Sequence, residues 1–287
     1  MLESYFSQMG NEIAPELVSA SRAPIGIFDS GVGGLTVLKE LYRQLPNESI
    51  IYFADTARLP YGNRSQEEIL QFVREILSWM NTQGVKMIIM ACNTSSALAL
   101  ETVRCESNVP ILGLVLPGAR AAVKLGGKRI GVIATPATVA SNAYGNAILE
   151  IDPLVQVWQI GCPEFVPIIE SNRISEPLTK KVASQYLSPL LTAKIDTLIY
   201  GCTHYQHLEK VFKEILHPSI HCIDPAKYVV AAASRELEVM GLKNFYKPQP
   251  TRFCVSGSPE KFAQLSRQWL RNIRVVEQVE LKVTFSV

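Results

Sequence analysis

Two cysteines sit where a thiol could do chemistry: Cys92 in the stretch ACNT and Cys202 in the stretch GCTH. Each directly follows a short apolar run, Lys86–Met90 before the first and Lys194–Tyr200 before the second. A thiol between a strand and the start of a helix faces orphan backbone N–H groups and the positive end of the helix dipole. That setting is expected to lower its pKa from about 8.5 toward neutrality. A thiolate there can act as a base or a nucleophile. His204, two residues beyond Cys202, is placed to assist its proton traffic, and Asp29, in DSG, is placed to do so near Cys92. The plainer reading of any single buried cysteine or histidine is a packed core residue. Two cysteines at equivalent places in a repeated pattern are harder to explain by packing alone.

The pattern repeats. Ile25–Phe28, Ile50–Phe53, Met87–Met90 and Ile111–Val115 read as buried strands. Between them Leu35, Leu38, Leu41, Tyr42 and Leu45 fall on one helical face. Ile69, Phe72, Val73, Ile76, Leu77 and Met80 fall on another, after a capping box formed by Ser65 and Glu68. Then RIGVI at 129–133 echoes PIGIF at 24–28, and HCIDPA at 221–226 loosely echoes ILGLVLPG at 111–118. Each half thus runs strand–helix four times, with its cysteine after the third strand, which indicates an internal duplication. The fold class expected is α/β: two similar domains, each a mostly parallel sheet flanked by helices, related by a pseudo-twofold with the active site between them. After the second half, Lys261–Leu270 reads as a helix. Val275, Val279, Leu281, Val283, Phe285 and Val287 alternate with polar neighbours, apart from Glu277, as a half-buried strand would.

Parallel sheets bind ligands at the carboxyl ends of their strands. Four polar clusters fall there: Asp29-Ser30-Gly31, Cys92-Asn93-Thr94, Thr135-Pro136-Ala137-Thr138 and Cys202-Thr203-His204. Helix capping explains each cluster taken singly. The segment DSGVGGL has a dinucleotide-site look, with Asp55 about 20 residues on. Thr36 stands at the third fingerprint glycine, however, and Asp29 would set a carboxylate beside the pyrophosphate. No phosphate-loop lysine pattern and no metal-ligand cluster is present in the sequence.

Composition narrows the class further. The chain has 287 residues, of which 47% are hydrophobic and 19% charged, enough for a large core and contrary to disorder. A net charge of +2 without a basic block gives no reason to expect nucleic acid. Six cysteines without a CxxC pair suit a reducing compartment better than a disulfide scaffold. The first 22 residues lack a cationic start and an apolar run, and no stretch is long enough to span a membrane. A cytoplasmic protein with a mobile N-terminal arm is expected.

With these pieces assembled, the chain resembles the glutamate racemases of the aspartate/glutamate racemase superfamily from about residue 24 to 270. The motifs that carry the likeness are FDSGVGGLTVL (28–38), ADTARLPYG (54–62), ACNTSSA (91–97), VLPGA (115–119), CPEFVPIIESN (162–172) and GCTHY (201–205). The resemblance implies interconversion of L- and D-glutamate without any cofactor, supply of D-glutamate for peptidoglycan, and a homodimer. It implies a discontinuous first domain, 23–116 with 225–271, a second domain, 117–224, an N-terminal arm, 1–22, and a C-terminal strand, 272–287. In this likeness Cys92 deprotonates D-glutamate and Cys202 deprotonates L-glutamate. Asp29 and His204 match the assisting groups, and Glu170 a further acidic residue. Ser30, Asn93, Thr94, Thr135, Thr138 and Thr203, with Pro60, Tyr61 and Gly62, match substrate contacts. Leu116 stands where many relatives have Glu, and Gln206-His207 follow GCTHY where Pro-Leu is common. Two other readings stay open at this point: a racemase or isomerase of the same superfamily acting on aspartate or another small acid, and a two-lobed carboxylate-binding protein without catalysis.

Overall fold

The computed structural model describes residues 15–270, 273 and 275–281. Ten strands are present among them: β1 Ile25–Asp29, β2 Ile50–Ala54, β3 Met87–Met90, β4 Ile111–Gly113, β5 Arg129–Ala134, β6 Gln156–Gly161, β7 Thr197–Gly201, β8 His221–Ile223, β9 Arg252–Val255 and β10 Val276–Gln278. They form two all-parallel sheets, ordered β10-β9-β2-β1-β3-β4 and β6-β5-β7-β8. Within each half the first four strands therefore lie in the same spatial order, second-first-third-fourth, which is what a duplicated unit produces. Strands buried on both faces read as unbroken apolar runs, and β1, β2 and β3 are buried at every position.

Each sheet has core on both sides. Ile27, Leu38, Tyr52 and Val229 belong to one cluster of the six-stranded sheet, and Phe53, Val73, Ile76 and Met90 to the other. Leu187, Leu198 and Phe212 lie on one side of the four-stranded sheet, with Ala122, Val132 and Ile148 on the other. The helix Gln66–Thr82 begins with the expected capping box. The Glu68 backbone N–H donates to Ser65 Oγ at 3.2 Å, and the Ser65 N–H to Glu68 Oε2 at 3.0 Å.

Several expectations need correction. The strand read at Ile111–Val115 ends at Gly113, because Val115 already opens the helix Val115–Lys124. Strand β9 was not foreseen; it adds to the β2 edge and recruits the chain after the second half into the first sheet. The C-terminal strand shortens to β10. Val279 and Leu281 pack on the core as their alternation suggested, whereas Val275 is 71% exposed. Residues 282–287 lie outside the described residues. The N-terminal arm is a helix over Pro15–Arg22, while residues 1–14 lie outside the described residues. Lys86 secures the end of that helix. Its ammonium donates to the Ser21 carbonyl at 2.5 Å and the Leu242 carbonyl at 2.8 Å, and pairs with Glu48 at 2.5 Å, both side chains being almost fully buried. No helix among the described residues is long and apolar enough to cross a membrane.

Candidate active site

The strand order reverses direction between β1 and β3 in the first sheet and between β5 and β7 in the second. A crevice opens at the carboxyl ends of strands at such a point. Asp29 closes β1 and Cys92 follows β3, while Thr135 follows β5 and Cys202 follows β7. Both crevices contribute to one cavity of about 50 Å³, room for a compact small molecule. Of the residues singled out in the sequence, Asp29, Ser30, Pro60, Tyr61, Gly62, Cys92 and Thr94 line it from the first half. Thr135, Cys202, Thr203 and His204 line it from the second. Asn93, Thr138 and Glu170 do not. Asn93 is buried, its carbonyl accepting from the Tyr144 hydroxyl at 2.6 Å. Thr138 lies behind Thr135, and Glu170 lies behind His204.

Glycines let the two halves close on one another here. A Cβ at Gly33 would stand 2.6 Å from Thr203 Oγ1 and 2.5 Å from His204 Nδ1. One at Gly62 would stand 2.8 Å from Thr135 Cβ. Gly33→Ala must push the halves apart or rotate His204. Since displacement of a catalytic group by about 1 Å costs on the order of 100-fold, kcat/KM is expected to fall by that order with the melting temperature changed little.

Cys92 and Cys202 have different surroundings. Asp29 Oδ2 accepts the Gly31 and Gly34 N–H groups at 3.1 and 2.9 Å, and its buried Oδ1 has no hydrogen-bond partner among the described residues. Burial raises the Asp29 pKa despite the favourable charge of His204. Burial and the neighbouring Asp29 also push the Cys92 thiol up to about 12. The expected lowering by the helix end is overturned: the helix Asn93–Leu98 is short, and its N–H groups are outweighed by desolvation and the carboxylate. Cys92 is thus held as a thiol. Beside Cys202, His204 Nδ1 lies 3.9 Å from Sγ and Nε2 lies 2.7 Å from Glu170 Oε1. Burial opposes charge on that imidazole, but Cys202 and Glu170 outweigh it and hold its pKa well above the ordinary value. The element after Cys202 is a 3₁₀ helix, Thr203–Leu208, rather than an α-helix.

The hydroxyls of Ser30, Thr94, Thr135 and Thr203 provide the polar wall, and no arginine or lysine lines the cavity among the described residues. Thr94, Thr135 and Thr138 form a triangle of hydroxyls with edges of 2.9, 2.9 and 3.3 Å, and Thr135 Oγ1 also caps its helix through the Thr138 N–H. Thr135→Ala is therefore expected to cost about 1 kcal/mol of stability and about tenfold in kcat/KM. Thr138→Ala, removed from the cavity, is expected to lower stability alone. Melting temperatures measured beside steady-state kinetics check both.

Pro136 of the Thr135–Thr138 cluster lines the cavity, and so do Leu59, Asn63, Cys162, Pro163, Val166 and Pro167, which were not anticipated. Cys162 follows β6, away from the point of strand reversal, and burial raises its thiol pKa. The Tyr61 ring borders the cavity, while its hydroxyl turns away to donate to Asp55, which Arg58 pairs at 2.7 Å.

The family model described as Asp/Glu/Hydantoin racemase matches residues 25–233. The chain belongs to the Asp/Glu/Hydantoin racemase family and is an enzyme of the isomerase class. Within that family it is similar to proteins named glutamate racemase. One from Gloeothece citriformis is 70% identical over 91% of this chain and 94% of the relative. The structure of glutamate racemase isoform RacE1 from Bacillus anthracis superposes with a TM-score of 0.88 at 37% identity, covering 91% of this chain and 98% of that one. The Francisella tularensis glutamate racemase, solved in complex with D-glutamate, gives 0.87 at 37% identity over 92% and 100%.

Proposed function

We propose that the enzyme interconverts L- and D-glutamate by a two-base mechanism in which Cys92 and Cys202 act on opposite faces of the α-carbon. The observation that carries this reading is the pair of thiols at equivalent positions of two duplicated sheets, both lining one cavity. An α-proton beside a carboxylate is very weakly acidic. Racemisation needs one group to remove it and another, across the substrate, to return a proton. Two facing thiols meet that need, one as thiolate and one as thiol in each direction.

The residues around them fit distinct duties. The unpartnered Asp29 oxygen is a natural acceptor for the substrate ammonium, whose charge offsets the burial and the Asp29 repulsion that together keep Cys92 protonated. His204, hydrogen-bonded to Glu170 and 3.9 Å from the Cys202 sulfur, is placed to pass protons to and from that thiol. The hydroxyls of Ser30, Thr94, Thr135 and Thr203 suit the carboxylates, and the buried site strengthens their hold on the carbanionic intermediate. Cys202 takes the proton from L-glutamate and Cys92 from D-glutamate. The same reading extends to a cytoplasmic homodimer that needs no cofactor and supplies D-glutamate for peptidoglycan.

The test is optical rotation. Protein dialysed against EDTA, given either glutamate enantiomer in plain buffer, is expected to bring the rotation to zero and to leave aspartate unchanged. Rotation lost with aspartate and not glutamate would favour the sister activity. Binding of glutamate without any loss would favour a non-catalytic lobe pair. Activity that returns only with a metal or nucleotide would overturn cofactor independence.

A further inference from the structure

Outside the cavity, one contact joins the two halves through aromatic rings. His207 stacks on Trp269 with ring centroids 4.2 Å apart and planes inclined by 28°. His207 stands on the 3₁₀ helix Thr203–Leu208, three residues beyond His204. Residues at that spacing in a 3₁₀ helix lie one above the other. Trp269 comes from the segment after β9, which serves the first sheet. It packs both on the cluster containing Ile27, Tyr52 and Phe262 and on the cluster containing Leu198, Tyr205 and Phe212. Of the partly buried hydrophobic side chains among the described residues, it alone packs on two of these clusters.

We propose that the His207–Trp269 stack is a clasp that fixes the Thr203–Leu208 segment to the other half, making both side chains positioning residues for Cys202 and His204. The groups facing His207 keep its ring uncharged. Burial, His204 from its own helix and Lys39 from the helix Leu35–Gln44 together lower its pKa to about 3. Beside it Gln206 donates to Glu209 at 3.1 Å. His207 Nε2 has no hydrogen-bond partner among the described residues, so the ring works as a flat plate against the indole rather than as a polar link. The stack's energy is modest in itself. Its leverage lies in where it acts, because a small rotation of the 3₁₀ helix moves His204 relative to both Cys202 and Glu170.

The inference rests on the reading of Cys202 and His204 as reacting groups, so its test has two independent parts. His207→Ala and Trp269→Ala are each expected to lower kcat about tenfold with KM nearly unchanged, since an aromatic pair is worth about one factor of ten. The double variant is expected to be no worse than either single one, and Trp269→Phe to recover most of the rate. Separately, amide hydrogen exchange over 203–208 is expected to quicken in His207→Ala and Trp269→Ala whatever the reaction proves to be. Unchanged exchange would overturn the clasp. Faster exchange with unchanged kcat, or losses that multiply in the double variant, would overturn the positioning role. Full racemisation by Cys202→Ser would instead strike at the two-base reading, leaving the exchange result to judge the clasp alone.

Discussion

Serine in place of Cys92 or Cys202 is expected to reduce racemisation of glutamate by about 1,000-fold or more, the range in which loss of a positioned acid or base falls. The hydroxyl nearly matches the thiol in shape, so the fold is kept. What is lost is acidity, since an alkoxide is out of reach where even the Cys92 thiol is pushed up to about 12. The two enantiomers have equal free energy in water, so kcat/KM must fall by the same factor from either side in every variant. The cysteines differ in a second reaction. A variant with one base can still remove a proton and return one to the same face, exchanging α-hydrogen without inversion. Cys202→Ser is expected to retain such exchange with D-glutamate and Cys92→Ser with L-glutamate. Steady-state kinetics by polarimetry, with NMR for exchange, check both outcomes. Near wild-type turnover in either variant would end the two-base reading.

Glu170→Gln is expected to have the next largest effect, about 10- to 100-fold in kcat/KM, with a displaced pH profile. Glu170 accepts from His204 at 2.7 Å and helps hold the imidazole well above its ordinary pKa. Its carboxylate stabilises the imidazolium; without it the imidazole loses its proton at lower pH. The basic limb of the profile therefore moves toward acid, by an amount that belongs to the Cys202–His204 pair rather than to either group alone. Stability follows the same sign. A group whose pKa is raised on folding contributes fully below its unfolded value, about 6.5 for histidine, and the contribution is lost as pH rises through the raised value. The variant should thus lose stability chiefly at acid to neutral pH. A limb that stays in place or moves toward base would contradict the assignment.

The residues legible in the sequence were those whose chemistry repeats. Cys92 and Cys202 stood out because both follow the third strand of a strand–helix unit, and the spatial order of strands is the same in both sheets. Asp29, Thr135 and His204 followed from the same logic, since strand ends in parallel sheets gather at one side. The apolar wall was not legible: Leu59, Pro163, Val166 and Pro167 have side chains that serve a core equally well, and only tertiary position brings them to the cavity. Glu170 entered only through the family likeness, and it reaches the site through His204. Strand β9 escaped notice because four residues, RFCV, carry too little periodicity to separate a strand from a buried loop. The sequence suggests a loose N-terminal arm, whereas the helix Pro15–Arg22 is tied down at its end by Lys86, itself paired with Glu48, partners distant in the chain. The thiol pKa was misjudged for a related reason. A helix end is visible in sequence, whereas the depth of burial that outweighs it is not.

The central claim is that protons leave and arrive on opposite faces through two different groups. The most direct measurement is the early time course of L-glutamate in D₂O, with the α-position of each enantiomer followed by NMR after chiral separation. The account predicts that the D-glutamate formed first carries deuterium at the α-carbon while deuterium enters the remaining L-glutamate more slowly, because Cys92 delivers a deuteron from solvent whereas Cys202 must first exchange the proton it took. Deuterium entering L-glutamate as fast as D-glutamate, or D-glutamate formed with its original hydrogen, would contradict it.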